Sequence, residues 1–303
     1  MTHALLETLK TRILLGDGAM GTQLQNAGLE SGHCGEAWNL DHPDRVVKIQ
    51  RAYADAGSDV LLTNTFGASR IMLNRHGEAD RTVAINHASV AIAREALGGR
   101  GYVLGDIGPF GGLMEPYGEI PRSDVERAFR EQARALVDAG ADGIIVETQT
   151  AFEELELALA AAKEAGAEVI VGSIAFDKMI DEDDVRTMMG ISPEQAAEFM
   201  AAHGCHILGL NCGTGVGMGM AARIVGRYRA TSGLPVMAQP NAGAPVLEDM
   251  RVIYKETPEQ MGAGLAALLA AGPSVVGGCC GSTPAHIRRF REILDEKIAE
   301  VRA

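Results

Sequence analysis

One pattern recurs along the chain. A helix-like run closes on Ala-Gly or another small pair, an apolar stretch of four to six residues follows, and that stretch ends in a polar or glycine-rich turn. The apolar stretches fall at Ile13–Gly16, Asp59–Asn64, Tyr102–Gly105, Asp142–Glu147, Glu168–Gly172, His206–Asn211, Pro235–Ala238 and Ser274–Gly278. Nearly continuous apolar runs mark strands buried on both faces, as in parallel sheets, and glycine is the expected stop after a helix. Helix starts are also written out. Ser192-Pro193-Glu194-Gln195 and Thr257-Pro258-Glu259-Gln260 each supply a cap, a proline in the first turn and a glutamine to close the box, and Ser123-Asp124-Val125-Glu126 reads as a third box. Eight strands alternating with helices predict a single (β/α)8 TIM barrel over residues 1–303. A doubly wound open sheet is the alternative, but the glycine fingerprint expected after its first strand is missing. Gly213-Thr214-Gly215-Val216-Gly217 follows a strand but carries no lysine for phosphates. The acidic stretch Asp177–Arg186 reads as an elaborated fifth loop.

Composition narrows the partners. The 303 residues carry 27 Lys+Arg against 40 Asp+Glu, a net charge of −13. That balance argues against nucleic acid and anionic membrane, and aromatics at 4% are too few for base stacking. The first residues have no basic, then apolar, signal-peptide pattern, and no apolar run is long enough to span a bilayer. A cytoplasmic protein with reduced thiols is the expectation.

The chemistry lies at the strand ends, where barrels build their sites. In order they present Asp17, Asn64, Asp106, Glu147, Asn211-Cys212, Gln239-Pro240-Asn241 and Cys279-Cys280. Cys205 reads as a small buried hydrophobe and Cys34 as a loop residue. Cys212, Cys279 and Cys280 converge from strands six and eight, and Gly277, Gly278 and Gly281 allow a sharp turn there. Three thiolates and an open position suit a catalytic Zn²⁺; ordinary burial or a vicinal disulfide are the alternatives. A zinc ringed by three thiolates is a poor Lewis acid for carbonyls. It suits a fourth, substrate thiol, held as thiolate at neutral pH and ready for alkylation.

Gly16-Asp17-Gly18-Ala19-Met20-Gly21-Thr22, Thr63-Asn64-Thr65-Phe66, Glu147-Thr148, Gly209-Leu210-Asn211-Cys212, Gln239-Pro240-Asn241-Ala242-Gly243 and Gly277-Gly278-Cys279-Cys280-Gly281 follow in chain order. Together they resemble the homocysteine S-methyltransferase family, the homocysteine-binding domain of cobalamin-dependent methionine synthase and its relatives. The resemblance implies a barrel with zinc on Cys212, Cys279 and Cys280, and Asp17 and Glu147 on the ammonium group of homocysteine. It implies Asn241 at the open zinc position when substrate is absent, with Asn64 and Asp106 as lining residues. The folate and cobalamin domains of methionine synthase have no counterpart in these 303 residues. The implied methyl donor is therefore small, such as S-methylmethionine or betaine, or a separate methyl-corrinoid protein docked on the barrel's top face. Gly105–Gly112 and Arg186–Gly190 resemble the cobalamin-linked branch. An alternative keeps the scaffold as the methyltransferase subunit of a corrinoid system with another donor or acceptor. A further alternative is a barrel that binds zinc or senses thiols without turnover. Met179, Met188, Met189, Met218 and Met220 are candidates for a docking surface.

Overall fold

The computed structural model describes residues 3–179, 184–248 and 251–302. Eight parallel strands form one sheet: Leu14–Leu15 (β1), Val60–Leu62 (β2), Tyr102–Ile107 (β3), Gly143–Gln149 (β4), Ile170–Ile174 (β5), Ile207–Asn211 (β6), Val236–Gln239 (β7) and Val275–Val276 (β8). Their order, β1-β8-β7-β6-β5-β4-β3-β2, returns the first strand to the neighbourhood of the second. The β1–β2 seam is closed by single bonds. Asp59 N–H donates to Leu15 O at 2.6 Å, the Asp59 carboxylate accepts from Leu15 N–H at 2.9 Å, and the Asp17 carboxylate accepts from Leu62 N–H at 2.8 Å. One backbone bond and two side chains thus finish a ring that the strand ladder leaves open.

The two-residue alternation of a strand explains the core. Leu14, Val60, Leu104, Ile145, Val171, Ile207, Met237 and Val275 face the barrel axis, and Leu5 of the helix Ala4–Leu9 packs with them. Their neighbours Leu15, Leu61, Val103, Ile144, Ile170, Leu208, Val236 and Val276 face the other way, into the larger cluster shared with the surrounding helices. Each such side chain contributes about 1.5–3 kcal/mol by leaving water. That double burial is why the strands read as unbroken apolar runs.

Helices Pro43–Asp55, Thr82–Leu97, Arg122–Asp138, Phe152–Ala165, Pro193–Ala202, Met218–Thr231, Pro258–Ala270 and Pro284–Arg302 alternate with the strands. Both boxes at Ser192 and Thr257 form in full. The box expected at Ser123 does not. The helix begins at Arg122, with Pro121 as its cap residue, so Ser123 already lies inside the first turn, and its hydroxyl bonds Asp124. Proline fixes the φ that starts the helix early. The fifth loop holds an antiparallel pair, Asp177–Lys178 with Val185–Arg186; residues 180–183 of that expected elaboration lie outside the described residues. The seventh loop carries a second ribbon, Val246–Glu248 with Arg251–Ile253. No helix among the described residues is long and apolar enough to cross a membrane.

Candidate metal centre

Two residues further along each strand, the inward face changes character. The positions above the apolar layer are Gly16, Asp106, Glu147, Ser173, Gly209, Gln239 and Gly277, with β2 alone keeping an apolar residue there, Leu62. Small residues make room there and polar ones line it. Asp17, Asp106, Glu147, Gln239 and Asn241 are all buried at this end. Four of the polar atoms there, Asp106 Oδ1, Gln149 Oε1, Gln239 Oε1 and Asn241 Oδ1, find no hydrogen-bond partner in the protein. Buried acceptors without donors cost free energy unless a ligand supplies them.

The three predicted cysteines meet at this rim. Their sulfurs all lie within 4.8 Å of one another, with Cys212 Sγ and Cys280 Sγ 3.9 Å apart. Tetrahedral zinc at 2.3 Å from sulfur sets ligand sulfurs about 3.8 Å apart, so the spacing fits. All five cysteines are free thiols, and no vicinal disulfide forms. Local backbone explains the convergence. Cys212 leaves β6 at φ +56, a left-handed conformation uncommon for a side-chain-bearing residue, and Gly213 follows at φ +82. Gly281 at φ +79 turns the chain after the cysteine pair, and Cys279 N–H is fixed on Pro240 O at 2.9 Å. Hydrogen bonds from the other two thiols draw Cys212 down to about 3, while Cys280 is pushed up to about 11 and Cys279 well above its ordinary value, chiefly by the Cys212 sulfur. One thiolate shared by three sulfurs is a soft donor set.

The acidic residues sit beside them. Burial pushes Asp17 up to about 8, against the Leu62 N–H bond that favours its charge. Burial also pushes Glu147 up, and pushes Asp106 well above its ordinary value with the neighbouring Glu147 charge adding to the effect. Asn211 is the hub. Its Nδ2 donates to Glu147 Oε2, to Thr148 Oγ1 at 2.7 Å and toward Cys279 Sγ at 3.9 Å; its Oδ1 accepts from Ser173 Oγ at 2.6 Å and Thr148 N–H at 3.0 Å. Thr148 itself is held at φ +57.

Of the other expected residues, Asn241 joins the cluster, donating to Gly213 O at 3.0 Å and toward Cys212 Sγ at 3.9 Å. Asn64 is engaged elsewhere: its amide donates to Gly35 O at 2.9 Å and Asn39 Oδ1 at 3.0 Å. Cys205 is buried ahead of β6 and Cys34 lies in a loop beside Glu36, as expected. Met218 is buried and Met220 half-buried; Met179, Met188 and Met189 are exposed. Sequence reasoning missed the hub role of Asn211, the contacts of Ser173 and Thr148, and Tyr254, whose ring packs against Gly281 beside the cysteine pair. Polarity at an inward strand position was the available signal for Ser173; nothing local marked Tyr254.

A barrel with three cysteine sulfurs at its C-terminal rim, set beside buried carboxylates, could hold a metal ion there. The chain belongs to the homocysteine S-methyltransferase family, whose sequence profile matches residues 14–294. Methionine synthase of Mycobacterium tuberculosis (strain ATCC 25618 / H37Rv) is 36% identical over 300 residues, covering 94% of this chain and 25% of that protein. Methionine synthase of Mycobacterium leprae (strain TN) is 35% identical over 94% of this chain and 24% of that protein. The chain therefore spans about a quarter of the length of these relatives. The metallated form of the homocysteine methyltransferase MmuM from Escherichia coli superposes with a TM-score of 0.77 at 23% identity, covering 95% of this chain and 99% of that one, a likeness of fold.

Proposed function

We propose that this protein transfers a methyl group to the thiol of homocysteine, forming methionine, with zinc held by Cys212, Cys279 and Cys280. The observation that carries the reading is the meeting of three sulfurs within 4.8 Å of one another, one pair at 3.9 Å, beside buried carboxylates. When bound, zinc would keep the acceptor sulfur ionised at neutral pH, where a free thiol is mostly protonated. The chain's own residues do the rest. Asp17 and Glu147 receive the ammonium group, and its positive charge draws down carboxyl groups that burial has raised. Asn211 fixes the Glu147 carboxyl, and Asn241 stands over the open side of Cys212. Asn64 holds the segment containing Gly35 and Asn39 as part of the pocket wall.

The donor in this reading is a methylcorrinoid-bearing protein rather than a small molecule such as S-methylmethionine. Support comes from the rim, where Leu113, Tyr117, Met188, Met189, Leu247 and Val252 stand exposed on loops after β3, β5 and β7. A small donor needs no such surface. Calorimetric titration of the reduced, zinc-loaded protein with homocysteine, in buffers of different ionisation enthalpy, tests the acceptor. Binding with a net proton release that disappears when homoserine replaces homocysteine supports it. No heat from homocysteine on a protein that carries its zinc would move the reading to another acceptor on the same scaffold.

A further inference from the structure

The turns that follow β1 and β8 are clasped together. The two strands pair in parallel, Leu14 against Val275 and Leu15 against Val276, and the pairing carries on past their ends, where Gly278 N–H donates to Asp17 O at 2.9 Å. Ser282 then ties the turns with one side chain. Its hydroxyl donates to Cys279 O at 2.7 Å and accepts from Ala19 N–H at 3.1 Å. Beneath it the Tyr53 hydroxyl, from the helix Pro43–Asp55, donates to Ala19 O at 2.8 Å with Ser282 O at 3.2 Å beside it. A further tie runs from Gly281 N–H to Thr22 Oγ1 at 3.3 Å. Ser282 and Tyr53 are fully buried. A Cβ at Gly18 or at Gly278 would run into the Ser282 hydroxyl, so these two glycines make the room in which it sits.

The clasp joins two parts of the site that would hold opposite ends of one ligand. The β1 turn carries Asp17, and the β8 turn carries Cys279 and Cys280. We propose that Ser282, seated on Tyr53, is a positioning residue that fixes the span from the Asp17 carboxylate to the cysteine sulfurs. That span sets the length of acceptor the site takes: a thiol amino acid with two methylenes before its sulfur, against cysteine with one. This rests on the reading above, in which Asp17 receives the ammonium group and the sulfurs hold the metal. With its ammonium group on one turn and its sulfur on the other, the acceptor is measured across the clasp. Selection by length needs a span that does not yield, because a soft one would close up on the shorter thiol. One methylene is worth about 10–200-fold in discrimination by a fitted site. A buried network whose members are all engaged is rigid, and a ligand of matched length then binds without first ordering the two turns.

The test compares the zinc-loaded wild type with Ser282→Ala and Tyr53→Phe by calorimetric titration with homocysteine and with cysteine. Neither substitution removes a carboxylate or a sulfur. In Ser282→Ala the Cys279 carbonyl keeps its 3.0 Å bond from the backbone N–H at 282, so Ala19 N–H alone is orphaned and the fold should survive. Tyr53→Phe loosens the same clasp from the other side. The wild type should bind homocysteine at least about tenfold more tightly than cysteine. In both variants the homocysteine Kd should rise about tenfold while that of cysteine stays within about twofold, with the zinc retained. In the metal-free proteins, hydrogen exchange at the Gly278 amide should be about tenfold faster in both variants, because its bond to Asp17 O opens more often. A lower melting temperature with an unchanged preference would overturn the proposal, leaving the clasp a purely structural one. So would equal weakening of both thiols, a Gly278 amide as protected as in the wild type, loss of zinc from a folded variant, or a wild type that binds the two thiols equally. A wild type that takes up no zinc, or that binds neither thiol once loaded, would defeat the acceptor reading itself, which separates that failure from this one.

Discussion

At the scale of single residues, the proposed centre is three sulfurs with the amides of Asn211 and Asn241 set against them. Cys280→Ala leaves two sulfurs where three lie within 4.8 Å, so zinc content should fall from about one per chain to near zero on dialysis. The circular dichroism spectrum should be unchanged, because Cys280 is not among the buried core residues. Zinc retained in that variant would mean the wrong sulfurs were chosen. Asn211→Ala removes no sulfur but frees Glu147, Thr148 and Ser173 at once. Loss of an outer partner of this kind costs about 10–100-fold. We expect turnover to fall within that range while metal analysis still finds zinc. The cysteines and Asp17 were legible in the sequence because each follows an apolar strand directly. Asn211 was visible only as the residue before Cys212; its role depends on contacts to β4 and β5 that spacing cannot reveal.

At the scale of elements, the site is a set of turns forced by backbone conformation. Gly213 lies at φ +82, and a Cβ there would overlap Phe176 O. Gly213→Ala should therefore destabilise the protein by about 3 kcal/mol and lower its melting temperature by roughly 5–10 °C, measured by calorimetry. A variant that melts with the wild type would show that the β6 turn is not fixed. Glu154 ties the third loop down by accepting from Phe110 N–H at 2.7 Å, and burial pushes its carboxyl up from 4.5 to about 7. A carboxyl raised in the fold contributes stability that is complete below about pH 4.5 and lost as pH rises through about 7. Glu154→Gln keeps an acceptor for Phe110 and cannot ionise. Urea unfolding should show the variant gaining on the wild type between pH 5 and pH 8 by on the order of 2 kcal/mol. A constant difference across that range would remove Glu154 from the loop's pH response. The strand order and two capping boxes followed from pattern alone, since burial on both faces and a cap-proline-glutamine run are local signals. The Ser123 box failed because Pro121 starts the helix two residues sooner. The barrel's closing seam was also hidden: beside one backbone bond it relies on the side chains of Asp59 and Asp17, where a strand pattern predicts only ladder bonds.

At the scale of the whole molecule, polar and apolar surface are sorted by end. Among the described residues, Val83 is the one large exposed hydrophobic on a barrel helix; the others lie in loops after β2, β3, β5 and β7, at the end of the barrel that carries the three cysteines. The net charge of −13 keeps the remaining surface solvated, so this rim is where a partner would gain apolar contact. A donor delivered by a protein must cover the rim to bring its methyl group to the cysteines, whereas a small methylcorrinoid needs only the opening. The variant Leu113→Ser, Tyr117→Ser, Leu247→Ser separates the two. Its three positions are 65%, 85% and 67% exposed, so the fold should be unaffected. Losing three apolar contacts at an interface costs on the order of 1.5 kcal/mol, about tenfold in affinity. Methyl transfer from a methylcorrinoid-bearing protein should then show a KM raised about tenfold with kcat held, while transfer from free methylcobalamin stays within twofold of the wild type. A parallel fall with both donors would place these residues in the chemistry of the site, and no fall with either would mean that the rim serves something other than the donor.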